Sequence, residues 1–444
     1  MKLYNSRTQQ VEELRPLEPG KVSMYVCGPT VYNYPHIGNA RPIVVFDTLK
    51  KTLQAQGLEV TYVSNYTDVD DKIIKAALEE GTDEAHITDK FIKAYAQTRA
   101  DLNADQPDVA PRVTQTMDEI IAFIDELVKA GAAYQAGDDV YFRVRSDSRY
   151  GELSHQSVED LEVGARIEAS SQKEDPLDFT LWKKTNQGIQ WESPWSTGRP
   201  GWHTECVVMI RNVFKKPLID IHGGGMDLKF PHHENEIAQC RAISDTPLAN
   251  MWVHNGMINI DGRKMSKSLG NVFWAKDLIA RYGGNVVRWV MISAHYRAPL
   301  NLNEEAFTSA AKELERLRTA LKQASVKLQL AGICCPDQPQ GPLWDRFLEA
   351  MNDDLNTPNG IAAAFEAMKA INQESRKREP DYALLAQETV NLQAMLQVLG
   401  IRLALPALSD EDKTMWHDWR AAVKARDFDT ADKLRTTLQQ KDIL

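Results

Sequence analysis

The sequence predicts an α/β fold in which a parallel-sheet domain is interrupted by an insertion and followed by a helical region. The first observation is a strand–helix–strand order: β-forming residues at 22–26, helical spacing of apolar residues from Val44 to Gln56, and a second strand at 58–63. Elements joined in this order by short loops form a right-handed βαβ unit of a parallel sheet. The second observation is that the chain after Asn301 carries the periodicity of amphipathic helices.

The insertion is predicted from a change of character near residue 112. Residues Met117–Lys129 have the pattern of an amphipathic helix, residues 140–144 alternate like a strand, and a long polar stretch runs from Ser146 to Lys184. A short β-forming run followed by three glycines then returns at 218–225. We interpret the interval as an insertion that packs beside the parallel-sheet domain.

The helical region is predicted from one apolar face and from helix-end signals. The face would carry Phe307, Leu314, Leu317 and Leu321. A loop rich in Pro, Gly and Cys at 332–342 precedes the next helix, Thr357 and Pro358 suit an N-cap and N1 pair, and Gly400 suits a helix end. Taken alone, this region is equally typical of a bundle packed for stability and of a binding domain.

The composition excludes several classes of protein. Of the 444 residues, 43% are apolar and 26% are charged, which suffices for ordinary cores. The net charge of −10 argues against a generally basic nucleic-acid coat protein or a cationic membrane binder. No apolar run approaches a membrane span, the amino terminus lacks a secretion signal, and five cysteines do not suit a disulfide framework. We therefore expect a cytoplasmic protein with no membrane partner.

Four residues form a candidate zinc site: Cys27, Cys206, His232 and Glu236. Cys27 follows the first predicted strand, at the edge where parallel sheets bind ligands. His232 and Glu236 are four residues apart, so one helical turn would place both on one face. Two thiolates, an imidazole and a carboxylate suit Zn²⁺, with His233 as an alternative ligand that would point about 100° away. The competing interpretation is two ordinary buried cysteines and a helix-capping His232.

Two further motifs are candidates for phosphate binding. Residues 35–39 read Pro-His-Ile-Gly-Asn and enter a helix, whose first N–H groups suit a phosphate that approaches closely at Gly38 and accepts a hydrogen bond from His36. Residues 264–268 read Lys-Met-Ser-Lys-Ser, and two lysines around small residues suit a clamp on a polyphosphate. Taken alone, the first motif is also typical of a plain turn and the second of a solvated basic loop.

These motifs together resemble the paired signatures of the class I aminoacyl-tRNA synthetases, and longer strings resemble the cysteinyl-tRNA synthetases among them. The longer strings are Met24-Tyr25-Val26-Cys27-Gly28-Pro29-Thr30-Val31-Tyr32, Gly201-Trp202-His203-Thr204-Glu205-Cys206, His222-Gly223-Gly224-Gly225-Met226-Asp227-Leu228 and Phe230-Pro231-His232-His233-Glu234-Asn235-Glu236. The resemblance extends to about residue 440, and chance agreement of all strings in order is negligible. Two departures are Asn39, where the first signature usually has histidine, and the lack of the basic, glycine-containing tail common in the family.

The resemblance implies a Rossmann-like catalytic domain with an insertion, an α-helical bundle and a small C-terminal domain. The implied parts are the catalytic domain at 1–112 and 200–255, the connective insertion at 113–199, the linking domain with the lysine motif at 256–301, the helical bundle at 302–402, and a short anticodon-binding region at 403–444. The implied reaction is ATP-dependent ligation of L-cysteine to the cysteine tRNA through cysteinyl-adenylate. Mg²⁺ would accompany ATP, and we expect a monomer.

The resemblance also implies a role for each candidate residue. One zinc ion would be held by Cys27, Cys206, His232 and Glu236. His36 and Asn39 would contact the ATP phosphates, Lys264 and Lys267 would stabilise the transition state of adenylate formation, and Gly38, Ser266 and Lys267 would bind ATP. Thr30, Trp202, His222 and Asp227 would surround the bound cysteine. A thiolate binds zinc and a hydroxyl of the same shape binds it poorly, so we expect no editing site in the insertion.

Two other functions compete with this one. A ligase that joins cysteine to an amino sugar without tRNA would share the catalytic half, but it would not need the long helical region after Asn301. A non-catalytic zinc protein that binds RNA would have no use for the two lysines of residues 264–268.

Overall fold

The fold is given by a computed structural model that describes residues 1–157, 172–260, 262–264 and 272–444. Two units are distinguished. The first, called the sheet unit, comprises Met1–Gly284, Tyr296–Leu302 and Asn352–Leu355. The second, called the helical unit, comprises Asn285–His295, Asn303–Met351 and Asn356–Leu444.

The described residues form strands β1 to β13 and helices α1 to α14. The strands are β1 Lys2–Asn5, β2 Gln10–Glu13, β3 Lys21–Val26, β4 Glu59–Val63, β5 Ala133–Ala136, β6 Asp139–Phe142, β7 Phe179–Lys184, β8 Gly198–Pro200, β9 Ile219–Gly225, β10 Ala249–Asn255, β11 Ile258–Ile260, β12 Arg263–Lys264 and β13 Leu300–Leu302. The helices are α1 Ile37–Ala55, α2 Asp71–Glu80, α3 Glu84–Asp101, α4 Met117–Lys129, α5 Glu205–Phe214, α6 Glu234–Ser244, α7 Ala275–Tyr282, α8 Gly284–Ile292, α9 Glu304–Leu330, α10 Pro342–Asn352, α11 Thr357–Ser375, α12 Tyr382–Val398, α13 Asp410–Ala425 and α14 Phe428–Gln440.

A four-stranded parallel sheet in the order β10-β9-β3-β4 forms the core of the sheet unit. Six of the seven residues of β9 are buried, as expected for a strand covered on both faces. Helix α1 packs against β4, β9 and β10. Residues of α4, α5 and α6 pack with Tyr25, Val63 and Trp252, which alternation places on the opposite face of the sheet. The predicted parallel sheet is confirmed.

The three glycines after residue 222 continue strand β9 instead of forming a loop. A Cβ atom at Gly223 would lie 2.2 Å from Cε1 of Phe46 in α1. Glycine therefore allows the helix to lie close to the strand, and the sheet edge reaches three residues further than the β-forming run predicts.

The predicted insertion contains an antiparallel sheet in the order β5-β6-β7-β8. The helix predicted at Met117–Lys129 is α4, and its apolar face joins the same core as this sheet. The stretch from Ser146 to Lys184, described above as polar, contains strand β7, which the sequence did not predict. Leu181 and Trp182 of this strand are fully buried. Residues 158–171 of that stretch lie outside the described part of the chain.

A buried arginine fastens helix α1 to the end of the parallel sheet. Arg41 is fully buried, and its Nη1 donates to the carbonyl oxygens of Gly256 at 2.7 Å and Met257 at 2.8 Å. Its Nη2 donates to the carbonyl oxygen of Ala298 at 2.6 Å. These bonds join α1 to the connection between β10 and β11 and to the segment before β13, which pairs with β11.

The helical unit contains α9 and α11 to α14 together with most of α8 and α10. Helix α9 contacts α11 and α12, and α13 contacts α14. The predicted helical region is confirmed. The predicted N-cap is wrong by one residue: the cap of α11 is Asn356, whose side chain accepts the N–H of Asn359 at 3.2 Å, so that Thr357 is the first helical residue.

Among the described residues, no helix is both long enough and apolar enough to cross a membrane.

Replacing Arg41 by methionine is expected to destabilise the protein. The change preserves most of the side-chain volume but removes the donors to three carbonyl oxygens, and we expect a loss of about 3 kcal/mol or more of unfolding free energy. Urea unfolding measures it. The matched control is Arg15→Met, because Arg15 is an exposed arginine paired with the equally exposed Glu13, and we expect a change within about 0.5 kcal/mol. Equal midpoints for the two variants would contradict this role.

Candidate active site

The loops that follow the parallel strands surround one cavity of about 440 Å³ in the sheet unit. Its position is the one where open parallel sheets bind ligands, beyond the carboxyl ends of the strands. Seven of the residues predicted from the sequence line it: Cys27, Thr30, His36, Gly38, Asn39, Trp202 and Asp227.

Four predicted metal ligands meet beside this cavity. Cys27 follows β3, Cys206 lies in the first turn of α5, and Glu236 lies in the first turn of α6. The Sγ atom of Cys27 is 3.5 Å from Sγ of Cys206, 3.6 Å from Nε2 of His232 and 3.5 Å from Oε1 of Glu236. Nε2 of His232 is 3.7 Å from Sγ of Cys206 and 2.8 Å from Oε1 of Glu236.

These spacings fit a tetrahedral metal site. For arms of about 2.0–2.3 Å, the edges of a ligand tetrahedron are about 3.3–3.8 Å long. Four of the five distances above lie in this range, and the fifth is a hydrogen bond between His232 and Glu236. A second group, in which His222 and His233 take the places of Cys206 and His232, is also close enough to hold an ion. The first group offers two sulfur ligands, and this soft donor set suits Zn²⁺.

The predicted helical turn through His232 and Glu236 is present, and it joins a π-helical turn to α6. Helix α6 begins at Glu234, and His232 precedes it in a π-helical turn over Lys229–His233. Phe230 is the one residue of that turn with non-helical backbone angles, so the backbone is helical from Pro231 into α6. The two side chains meet, because the turn leads directly into α6.

Aromatic and imidazole groups hold the candidate ligands in place. Nε2 of His222 is 2.6 Å from Oε2 of Glu236, and the His222 ring stacks on Trp252 with centroids 4.4 Å apart. Trp202 stacks on the ring of His232 at 4.1 Å. Neighbours of this kind fix the orientation of metal ligands. No sequence pattern indicated Trp252, since it lies on β10 and reaches the site only through the sheet register, opposite His222.

The electrostatics of the cluster favour the deprotonated form of Glu236 and Cys206 and the protonated form of His232 and Cys27. Burial alone would lower the pKa of His232, but Glu236 and Cys206 raise it to about 10. Burial alone would raise the pKa of the Glu236 carboxyl, but His222 and His232 hold that pKa well below its usual range. The hydrogen bond from the Cys27 thiol lowers the pKa of Cys206 to about 6. Burial raises the pKa of Cys27 itself. One thiolate and one carboxylate buried side by side form a site that attracts a cation.

The predicted cysteine-binding residues occupy two different positions. Thr30, Trp202 and Asp227 line the cavity. A Cβ atom at Gly225 would lie 2.4 Å from Oδ1 of Asp227, so the glycine leaves room for this carboxylate over the strand end. His222 is fully buried behind Glu236 and is not among the lining residues, so it influences the cavity through the carboxylate that it holds.

His36 and Asn39 form a reciprocal cap on helix α1. Nδ1 of His36 accepts the backbone N–H of Asn39 at 3.2 Å, and Oδ1 of Asn39 accepts the N–H of His36 at 3.2 Å. With Nδ1 acting as acceptor, the neutral ring carries its proton on Nε2 and is a donor there. The amide of Asn39 thus serves as the second half of the cap, which gives a physical reason for asparagine at this position.

The lysine motif is only partly described. Lys264 ends strand β12, which pairs with β11, and the structure describes nothing of its side chain. Ser266 and Lys267 lie outside the described residues. Their roles stay predictions from the sequence.

Comparison with known proteins identifies the family. A family model described as the catalytic domain of class I (C) tRNA synthetases matches residues 13–312, and a model described as the DALR domain matches residues 346–404. A cysteine–tRNA ligase of Anoxybacillus flavithermus is 47% identical over 451 residues, covering 100% of this chain and 97% of that protein. The chain belongs to the cysteine–tRNA ligase family. A second member, from a Geobacillus species, is 47% identical over 454 residues with the same coverage of each protein.

Solved structures agree with this family at the level of the fold. A methionyl-tRNA synthetase of Mycobacterium tuberculosis in complex with methionyl-adenylate has a TM-score of 0.61 at 16% identity, covering 85% of this chain and 89% of that one. A ternary complex of leucyl-tRNA synthetase from Agrobacterium radiobacter has a TM-score of 0.61 at 13% identity, covering 87% of this chain and 85% of that one. Every predicted site residue of this cysteine–tRNA ligase family member lies within the matched catalytic region.

Replacing Gly28 by alanine is expected to disrupt the metal site. The new Cβ atom would lie 1.6 Å from the carbonyl oxygen of Asn65, so the loops after β3 and β4 must separate and move the sulfur of the adjacent Cys27. We expect bound zinc, measured by atomic emission on the purified protein, to fall below half of the wild-type content.

The control for this substitution is Gly20→Ala. Gly20 has φ +80°, so alanine is strained there too, but nothing lies within 4 Å of the added Cβ atom. It should retain the wild-type zinc content at some cost in stability. If Gly28→Ala also retains full zinc, the close approach of these two loops does not position Cys27.

Proposed function

We propose that this chain is an ATP-dependent ligase that joins L-cysteine to the tRNA for cysteine through a cysteinyl-adenylate intermediate. The observation that carries the proposal is the convergence of Cys27, Cys206, His232 and Glu236 beside the cavity that His36 and Asn39 line. A site that would select a thiol and a helix amino terminus that would bind phosphate thus lie at the same edge of the sheet. The cysteine–tRNA ligases that match the whole chain agree with this reaction.

We propose further that the four-residue cluster holds one zinc ion. Support comes from the donor set, from distances that suit tetrahedral ligands, and from the lowered pKa values of Cys206 and Glu236. When bound, zinc offers a site that a thiolate occupies and that an alcohol of the same shape occupies poorly. A selectivity of about 10⁴ against serine requires only about 5.5 kcal/mol.

The chain's own residues bind and orient the other reacting groups. The start of α1 presents backbone N–H groups and the Nε2–H of His36 to the ATP phosphates, with Gly38 allowing close approach. Asp227 offers a carboxylate to the ammonium group of cysteine, while Thr30 and Trp202 shape its surroundings. Lys264 and Lys267 supply positive charge where negative charge develops on the phosphates, with Ser266 between them.

Transfer to tRNA requires no cysteine nucleophile. The mixed anhydride is already reactive, so positioning of the tRNA hydroxyl suffices. Cys240 is buried, its thiol bonds to the carbonyl oxygen of Pro217 at 3.4 Å, and burial raises its pKa. It is therefore a structural residue.

Cysteine–tRNA ligases that match the whole chain, its helical region included, favour tRNA as the acceptor over an amino sugar. Mg²⁺ is proposed to accompany ATP, held mainly by the phosphates and water. The monomeric state and the cytoplasmic location also remain proposals.

Two assays on the wild-type protein test the function. Cysteine-dependent exchange between ATP and pyrophosphate measures adenylate formation, and charging of cysteine tRNA measures transfer. We expect both activities. Exchange without charging would favour the tRNA-independent ligase, and absence of exchange would exclude both enzymes.

The substitution Lys267→Ala sharpens the test. We expect the exchange rate to fall by at least about 100-fold, the range found when one charged stabiliser of a transition state is removed. Zinc content should not change, because Lys267 is not among the proposed ligands. The control is Lys75→Ala, which removes an exposed lysine of α2 and should leave exchange unaltered. A parallel loss of zinc in Lys267→Ala would show that its role has been misassigned.

A further inference from the structure

One arginine beside the cavity belongs to none of the motifs described above. Arg99 lies in the last turn of α3, is only 4% exposed, and is one of the residues that line the cavity. Its Nη1 donates to the hydroxyl of Tyr62 at 3.1 Å and its Nη2 to the hydroxyl of Ser64 at 3.4 Å. Its Nε is buried and has no hydrogen-bond partner.

The guanidinium of Arg99 bonds hydroxyl groups and no carboxylate within the described part of the chain. No described carboxylate lies within ion-pair distance of Arg99, and its bonded partners are neutral hydroxyls. The acidic group that contributes to its field, Asp47, is already bonded to Nζ of Lys51 at 2.6 Å. By contrast, the buried Arg241 bonds two carboxylates, at 2.7 and 2.6 Å. An arginine that is almost fully buried is unfavourable unless an anion meets it.

The surroundings of Arg99 offer further donors and flat rings. This part of the cavity wall, called the Arg99 lobe, consists of Tyr62, Ser64, Tyr66, Lys72, Tyr95 and Arg99. Burial raises the pKa of Tyr66 and Tyr95, so both hydroxyls stay protonated and can donate. Lys72 adds a second cation that forms no ion pair among the described residues. Asp227 is the one carboxylate among the described residues that line the cavity, and it does not belong to this lobe.

We infer that the Arg99 lobe binds a phosphate group of a nucleotide substrate. The planar guanidinium group can donate two parallel hydrogen bonds to a phosphate, and the hydroxyl groups can donate to its other oxygen atoms. The tyrosine rings can stack on the base of the attached nucleoside. This inference rests on the proposed function, which supplies two sources of such a phosphate: ATP and the 3′ end of tRNA. The carboxylate of cysteine is the weaker candidate, because an arginine bound to it would reduce its reactivity as a nucleophile toward ATP.

The test is a pair of substitutions at Arg99 in the full-length protein. Arg99→Met removes the charge and preserves the volume, and Arg99→Lys preserves the charge and removes the fork. The matched control is Lys93→Met, which removes an exposed cation from the same helix. Each variant is assayed for the KM of ATP and of cysteine in pyrophosphate exchange, for the KM of tRNA in charging, and for thermal unfolding.

We expect Arg99→Met to raise the KM of ATP or of tRNA by tenfold or more. The same KM in Arg99→Lys should lie between those of Arg99→Met and the wild type. Both KM values in Lys93→Met should lie within twofold of the wild type. A raised KM of ATP in exchange assigns the phosphate to ATP. Normal exchange with a raised KM of tRNA assigns it to the tRNA end, and the salt dependence of tRNA binding should then weaken by about one phosphate contact.

Other outcomes overturn the inference. Unchanged KM values of ATP and tRNA in Arg99→Met would exclude a phosphate site. A rise confined to the KM of cysteine would exclude it too. A loss of thermal stability with the KM values of ATP and tRNA within twofold of wild type would show that Arg99 is only structural. If Arg99→Met fails to fold, Arg99→Lys decides: a rise of threefold or more supports the inference and a smaller rise overturns it. An inactive wild-type protein would instead contradict the proposed function itself.

Discussion

The buried carboxylate of Glu236 is the group on which the arrangement of the site depends. It is fully buried and lies between two imidazoles, with Nε2 of His222 at 2.6 Å and Nε2 of His232 at 2.8 Å. Removing a carboxylate from water costs several kcal/mol unless partners meet it. The strand that carries His222 and the turn that carries His232 are therefore held against α6, and the two cysteine sulfurs gather around the same point.

Sequence patterns predicted several helices and strands correctly because these elements depend mainly on residues that are close in the chain. Strands β3 and β4, helix α1 and the helical region followed from periodicity and from helix-end residues, which depend on neighbours in the chain. Strand β7 was hidden because its polar flanks dominate the composition, and burial of Leu181 and Trp182 arises from the sheet that it joins. The π-helical character of the turn at Lys229–His233 could not be predicted, since the spacing of His232 and Glu236 alone does not distinguish a π-helical turn from an α-helical one.

Some residues of the candidate site could be predicted from the sequence and others could not, for the same reason. The proposed zinc ligands could be predicted from their residue types and from the family resemblance. Trp252 and Arg99 lie in ordinary strand and helix sequence, and only their contacts with residues far away in the chain indicate a role. Arg99 also shows why charge counts are a weak guide. A chain of net charge −10 still presents a buried cation without a bonded carboxylate to its central cavity.

The central claim is that the cluster at the sheet edge selects cysteine through its thiol, and cobalt provides the most direct test. Protein reconstituted with Co²⁺ in place of zinc should show thiolate-to-cobalt absorption from Cys27 and Cys206. Addition of cysteine should increase this absorption by the contribution of one more thiolate, while serine at the same concentration should leave it unchanged. Identical spectra with cysteine and serine would contradict the account, because the substrate sulfur would then not reach the metal.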